Sequence, residues 1–110
     1  MTLPESVERV VKKVLGRDGY LEQDQRKNIF DVSLSAADSS IAGDALPENI
    51  RPVIEKITHY PYKVIDRDIE QLKSLGFSED QIYEMTVATA LGAGAGRLSL
   101  TRRLIKESQQ

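Results

Sequence analysis

The side chains best suited to acid–base chemistry in this chain are those of His59, Tyr62 and Glu84. His59 is the only histidine among 110 residues, and the usual pKa of histidine lies close to neutral pH. Together with a tyrosine and a carboxylate, it could transfer protons in a decarboxylase or an isomerase. The competing interpretation is structural, because a histidine in the last turn of a helix is stabilised by the negative end of the helix dipole. We favour that structural interpretation.

Arg97 is the candidate for binding an anionic ligand, because a guanidinium group can hold a carboxylate or a phosphate through paired hydrogen bonds. Glu84 directly precedes, and Arg97 directly follows, the uncharged run from Met85 to Gly96. If that run is buried, both charged groups need partners. We therefore favour the interpretation in which each of them pairs with a charge on another helix or on another subunit.

Several kinds of chemistry are excluded by residue types that the chain lacks. It contains no cysteine, so it has no disulfide, no thiolate metal ligand and no cysteine nucleophile. A single histidine excludes a metal site built from clustered histidines, and we expect neither a metal nor a cofactor. The glycine-rich segment at residues 92–96 does not match a phosphate-binding loop, since no Lys-Ser/Thr pair follows it in the required frame. Close helix packing explains this segment better.

The overall charge argues against nucleic acid and membranes as partners. The formal net charge is −2, which predicts no general attraction to polyanions. Binding of a single strand requires aromatic residues that alternate with basic ones. No aromatic residues alternate with the basic residues near the C-terminus, which are Arg97, Arg102, Arg103 and Lys106. We find no signal-peptide pattern, and the longest uncharged run is much shorter than the ~20 residues that span a bilayer. We expect a soluble, cytoplasmic protein.

Helices must position these side chains, because apolar residues recur at helical spacing along most of the chain. A length of 110 residues predicts one domain, with less certain N-terminal helices in residues 1–46 and a helical core in residues 47–106. Asp66 is expected to cap the fourth helix. The second helix is weak and runs into a loop of small residues. The expected helices span residues 4–15, 21–37, 47–60, 66–75 and 79–106.

The last helix is the most informative element of the sequence. The segment from Ser78 to Gln81 matches a capping box, in which both side chains satisfy backbone N–H groups at the start of a helix. The helix that follows is apolar on more than one side, which is typical of a buried helix. Larger residues form one stripe, namely Tyr83, Val87, Leu91, Leu98 and Ile105. Small residues form another, namely Ala88, Gly92 and Gly96.

A short chain has few elements with which to surround such a helix, so the sequence predicts a homo-oligomer. In that prediction the last helix packs against a symmetry mate, and its small residues allow close approach. The expected interface residues are Val87, Ala88, Leu91, Gly92 and Gly96. The alternative is a monomer in which this helix is the central helix of the bundle.

The segment from Pro47 to about Lys106 resembles the carboxymuconolactone decarboxylase and alkylhydroperoxidase D-like superfamily. The resemblance is carried by VID at residues 64–66, by LGFSEDQIYE at residues 75–84, and by the small-residue helix that ends in Arg97-Leu98. It implies an all-α, alkylhydroperoxidase D-like bundle of about five helices that is usually oligomeric. Peroxidase-type members use a Cys-x-x-Cys pair, and the absence of cysteine excludes thiol peroxidase activity here.

Two functions remain open from the sequence. The first is a non-redox helical oligomer with a structural or protein-binding role, because no complete catalytic constellation accompanies the apolar last helix. The second is a small-molecule decarboxylase or isomerase with His59, Tyr62 or Glu84 at an oligomer interface. That enzyme requires at least two of these groups in one concave pocket. Its small-molecule ligand is not identified by the sequence.

Overall fold

The computed structural model describes residues 3–37 and 39–109, and within them the fold is all-α, as the sequence predicts. A short 3₁₀ turn at Pro61–Lys63 connects the third and fourth of five α-helices. The molecule measures 52 × 28 × 24 Å. The α-helices are α1 (Glu5–Gly16), α2 (Gln23–Ser35), α3 (Arg51–His59), α4 (Asp66–Ser74) and α5 (Glu79–Ser108).

The start of α5 confirms the predicted capping box. The Ser78 hydroxyl accepts a hydrogen bond from the Gln81 N–H at 3.1 Å, and the Gln81 side chain accepts one from the Ser78 N–H at 2.9 Å. The helix then continues for 30 residues, or about 45 Å at the usual rise per residue. It therefore runs along most of the length of the molecule, and the other helices pack around part of it.

The second helix makes the largest contact with α5, and two glycines of α5 allow it. A Cβ atom on Gly92 would overlap the carbonyl oxygen of Phe30 and would lie 3.0 Å from the Cβ of Ser33. A Cβ atom on Gly96 would lie 2.7 Å from the Cβ of Ala37. Because these positions have no side chain, the two helix backbones approach closely. This contact secures a helix that the sequence indicated only weakly.

The third helix supplies the other large part of the core. It begins at Arg51 rather than at Pro47, because residues 47–50 form a turn and Pro52 occupies the first turn of the helix. Ile50 and Ile54 are completely buried. The helix ends before Pro61, as predicted, since the residue before a proline avoids helical geometry.

The prediction that Asp66 caps α4 is wrong. Asp66 is the first helical residue and Ile65 is the N-cap. The cap is made by Asp68, whose carboxylate accepts a hydrogen bond from the Ile65 N–H at 2.9 Å and also binds Lys56 of α3 at 2.9 Å. The helix ends at Ser74, and Gly76, whose φ of 103° favours glycine, follows the C-cap residue Leu75.

The C-terminal turns of α5 extend beyond the other helices. Residues 101–109 are all exposed, and Leu104 and Ile105 each expose 53% of their surface. Among the described residues, no helix is both long enough and apolar enough to cross a bilayer. The fold therefore leaves a long, exposed helix end with apolar side chains on it.

Candidate functional site

The Glu84 carboxylate binds the backbone of the loop between α1 and α2. Its Oε1 atom accepts hydrogen bonds from the N–H groups of Tyr20 at 2.9 Å and Leu21 at 2.8 Å, and its Oε2 atom lies 2.8 Å from the Tyr20 nitrogen. Gln81, one turn earlier, donates to the Tyr20 carbonyl at 3.2 Å. A Cβ atom on Gly19 would lie 2.6 Å from the carboxylate, so a larger residue at this position would displace the Glu84 side chain.

The electrostatics of this contact favour the ionised carboxylate. Partial burial alone would raise the pKa of Glu84. The hydrogen bonds from Leu21 and Tyr20, together with the positive charge of Arg26, outweigh burial and hold the pKa below its usual value. A carboxyl group that stays ionised at neutral pH serves poorly as a general acid, and its oxygen atoms already have backbone partners.

Arg26 is a structural residue that the sequence did not single out. It exposes only 5% of its surface. Its guanidinium group donates to the carbonyls of Val14 at 3.2 Å and Arg17 at 2.5 Å, at and just after the last turn of α1. A positive charge at that position interacts favourably with the negative, C-terminal end of the α1 dipole. The only signal in the sequence is the position of Arg26 three residues before Ile29, on the apolar side of α2.

A cleft of about 530 Å³ lies between the end of α1 and the first turns of α5. Its apolar lining includes Val14, Leu15, Tyr83, Val87 and Ala88. Its charged lining consists of Arg17, Asp18, Arg26, Asp80 and Glu84. Since Glu84 and Arg26 are occupied by backbone groups, the groups that remain available in the cleft are its apolar side chains and the charges of Arg17, Asp18 and Asp80.

His59 and Tyr62 lie at a different place. Arg97 of α5 donates a hydrogen bond to the Thr58 carbonyl in the last turn of α3, next to His59. Arg97 follows Glu84 by nearly four helical turns, or about 20 Å along the helix axis. Neither His59 nor Tyr62 lines the cleft that contains Glu84. The three acid–base candidates are therefore not brought together.

The surroundings of His59 and Tyr62 do not form a catalytic pair either. The Nε2 atom of His59 is buried without a hydrogen-bond partner among the described residues, while Tyr62 exposes 78% of its surface. Tyr60 lies between them, with its ring centroid 6.1 Å from that of His59 and 6.3 Å from that of Tyr62. Lys63 covers the Tyr60 ring at 4.6 Å.

Arg97 has a structural contact in place of the charge partner that the sequence suggested. Its guanidinium group donates to a backbone carbonyl at the end of α3, where four carbonyls lack helical partners. Thr58 is completely buried, and its own hydroxyl donates to the Ile54 carbonyl at 2.8 Å. Arg97 thereby joins the end of α3 to α5. Whether it also binds an anion stays a prediction.

The five expected interface residues divide between two sides of α5. Ala88, Gly92 and Gly96 are buried, and α2 of the same chain packs over the two glycines. This packing matches the alternative in which α5 is the central helix of one bundle. Val87 and Leu91 are only half-buried and lie on the side that α2 leaves open. Contact with a second copy through these two residues stays a prediction.

The comparisons with known proteins found no match: no family model, no curated protein and no solved structure matches the chain. Within residues 3–37 and 39–109, no three histidine, cysteine or acidic side chains gather in a way that could hold a metal ion. The features of the molecule that bear on its function are therefore its surface and the contacts described above.

Proposed function

We propose that this chain is a self-associating helical protein with a structural or protein-binding role, and that one face of α5 is its contact surface. We call this surface the open face. It consists of uncharged residues only, namely Tyr83, Val87, Ala90, Gly94, Leu98, Thr101 and Ile105. Their spacing of three or four residues places them along one side of the helix. This continuous, uncharged and exposed stripe is the observation that carries the proposal.

The open face runs along the part of α5 whose opposite side is buried, and it continues onto the last turns, where every side of the helix is exposed. Tyr83 exposes 71% of its surface and Ile105 exposes 53%, while Ala90, Gly94 and Thr101 are also exposed. A contiguous apolar surface commonly marks a site of protein association, whereas single exposed apolar residues do not. The open face has the length of six helical turns, or about 33 Å.

The resemblance to the alkylhydroperoxidase D-like superfamily supports the same proposal, because members of that superfamily are usually oligomeric. A member without cysteine cannot carry out thiol chemistry. In the proposed function, the helical scaffold and its association therefore remain while the redox chemistry is absent. The superfamily assignment itself remains part of the proposal.

The decisive test measures molar mass by light scattering over a range of protein concentrations. We expect the wild-type chain to be an oligomer. Ile105→Glu places a carboxylate on the open face, where association would bury it without a partner, and should weaken association by at least about tenfold. Leu104→Glu is the matched control, because Leu104 has the same 53% exposure but points about 100° away around the helix.

Two results would contradict this proposal. A monomeric wild-type chain at concentrations of tens of micromolar and above would remove the contact surface altogether. Equal effects of Ile105→Glu and Leu104→Glu would show that a general change at the helix end, and not the open face, controls association. The geometry disfavours the enzyme alternative, because Glu84 lies about 20 Å along α5 from Arg97, whose hydrogen-bond partner Thr58 is next to His59.

A further inference from the structure

The open face is symmetric about its central residue, Gly94. Tyr83 and Ile105 lie at equal distances before and after Gly94 along α5, and so do Val87 and Thr101. In an antiparallel pair of identical helices, a residue before the centre meets the residue at the same distance after the centre of its partner. In such a pair, Tyr83 would face Ile105 of the other copy, and Val87 would face Thr101 of the other copy.

No contact with another element requires a glycine at position 94. Gly92 and Gly96 are required by the contact with α2, but no atom outside the adjacent residues and the nearby backbone of α5 lies within 4 Å of the position of a Cβ atom on Gly94. A glycine in the middle of an exposed helix lowers its stability relative to alanine. Ala90 precedes it by one turn and is also exposed. Two small residues at the centre of the open face would let a second helix approach closely.

The charges at the two ends of α5 favour an antiparallel arrangement. Residues 79–84 include three acidic side chains and no basic one, although Glu79 already pairs with Lys73 of α4 at 2.8 Å and Glu84 binds the loop between α1 and α2. Residues 102–107 include three basic side chains and one acidic one. Antiparallel pairing brings the acidic start of each helix near the basic end of the other. Parallel pairing would bring like charges together at both ends, which opposes association.

The cleft between α1 and α5 adds a second contact to this arrangement. Tyr83 and Val87 belong to the open face and also line the cleft. The residues that face them in an antiparallel pair are Ile105 and Thr101, in the part of α5 that extends beyond the bundle. Asp80 lies at the cleft, close to the position that Lys106 of a second copy would reach.

From these observations we infer that two copies of this chain pair antiparallel along the open face with Gly94 on the two-fold axis. The last turns of each α5 then cover the α1–α5 cleft of the other copy. This inference rests on the proposed function, since it names the partner and the geometry of the same surface. The partner is a second copy of the chain because the symmetry, the small central residue and the charges all belong to α5 itself.

Cysteine cross-linking tests the inference directly, because the chain has no cysteine of its own. Gly94→Cys should form a disulfide-linked dimer with oxidised glutathione. Val87→Cys should not link to itself, because its two copies would be separated by about 21 Å along the axis, far beyond the distance that a disulfide spans. A mixture of Val87→Cys and Thr101→Cys chains, distinguished by mass, should form the mixed dimer.

Tyr62→Cys is the control for random collision, because Tyr62 exposes 78% of its surface and lies outside the open face. The expected pairs should cross-link at least about tenfold faster than this control, since association raises the effective thiol concentration from micromolar to millimolar. Rapid linking of Val87→Cys to itself, or a Gly94→Cys rate equal to the control, would overturn the antiparallel pair. If light scattering still showed an oligomer, the proposed function would stand; a monomer would remove both.

Discussion

At the residue scale, Glu84 shows how a charged side chain can connect two distant parts of a fold. Its carboxylate accepts hydrogen bonds from two consecutive backbone N–H groups. The loop that donates them connects α1 to α2. Glu84 thereby attaches the N-terminal part of the chain to the first turns of α5.

Replacement of this carboxylate should destabilise the protein. Glu84→Gln keeps one acceptor oxygen but places an amide N–H₂ group where the second oxygen meets the Tyr20 N–H. We expect a loss of about 1.5–3 kcal/mol in the free energy of unfolding, the usual contribution of hydrogen bonds to a charged group. Urea denaturation measures it. Glu107→Gln, an exposed position in the last turn of the same helix, is the control and should change stability very little.

The same substitution should alter the dependence of stability on pH. The pKa of Glu84 in the folded state lies below its usual value of 4.5. The ionised form therefore contributes stability that is fully present above about pH 4.5 and is lost as the pH falls through the folded-state pKa. The stability difference between wild type and Glu84→Gln should be largest near neutral pH and should shrink in acid. A difference that stays constant down to pH 3 would contradict this account.

The sequence could not predict this role of Glu84. Its partners are backbone N–H groups that lie 63 and 64 positions earlier in the chain, and every residue except proline carries such a group. The same limit applies to Arg97 and Arg26, which donate to backbone carbonyls of other elements. From the sequence alone, charged side chains suggest charged partners or ligands. The sequence does not show which backbone N–H and C=O groups of distant elements lie close to them.

At the scale of elements, local signals predicted α5 better than α2. The capping box from Ser78 to Gln81 is a contact within four residues, so the sequence contains all of it. By contrast, α2 is secured by packing on α5, and two glycines far away in the sequence make that packing close. The sequence predicts close helix packing at these glycines, with a second copy of α5 as the favoured partner. Only the structure shows that the helix packed on them is α2.

The glycines of α5 should respond differently to the same substitution. Gly92→Ala places a methyl group against the Phe30 carbonyl oxygen, and we expect a loss of about 1–3 kcal/mol in unfolding free energy, as in other overpacked sites. Gly94→Ala should instead raise helix stability by about 0.5–1 kcal/mol, because no atom outside the adjacent residues and the nearby backbone of α5 would lie within 4 Å of the new methyl group.

Thermal or urea denaturation at low protein concentration, where association is weak, separates these two effects. Gly96→Ala should resemble Gly92→Ala, since its methyl group would meet Ala37. A stabilising Gly92→Ala would show that α2 and α5 can move apart without cost, and it would contradict the close packing as the source of α2 stability.

At the scale of the whole molecule, the sequence predicts the all-α fold of five helices. It does not predict which side of α5 is covered within the chain and which side stays exposed. The apolar character of α5 predicted burial on several sides. In the structure the small-residue side is covered within the chain and the open face is not. Hydrophobic spacing indicates that a side of a helix needs cover, but it does not say whether another helix or another copy supplies it.

If association completes the fold, the melting temperature must depend on protein concentration. Binding to the folded form alone stabilises it by mass action, and for a dimer that unfolds as it dissociates, a tenfold increase in concentration adds about 1.4 kcal/mol per dimer. For a domain of this size we expect the wild-type melting temperature to rise by about 2–5 °C per tenfold increase. Ile105→Glu should show little or no rise, whereas Leu104→Glu should follow the wild type. A wild-type melting temperature that is independent of concentration, in a chain whose molar mass changes from monomer to dimer over the same range, would contradict association through the folded open face, because binding to the folded form alone must raise the melting temperature.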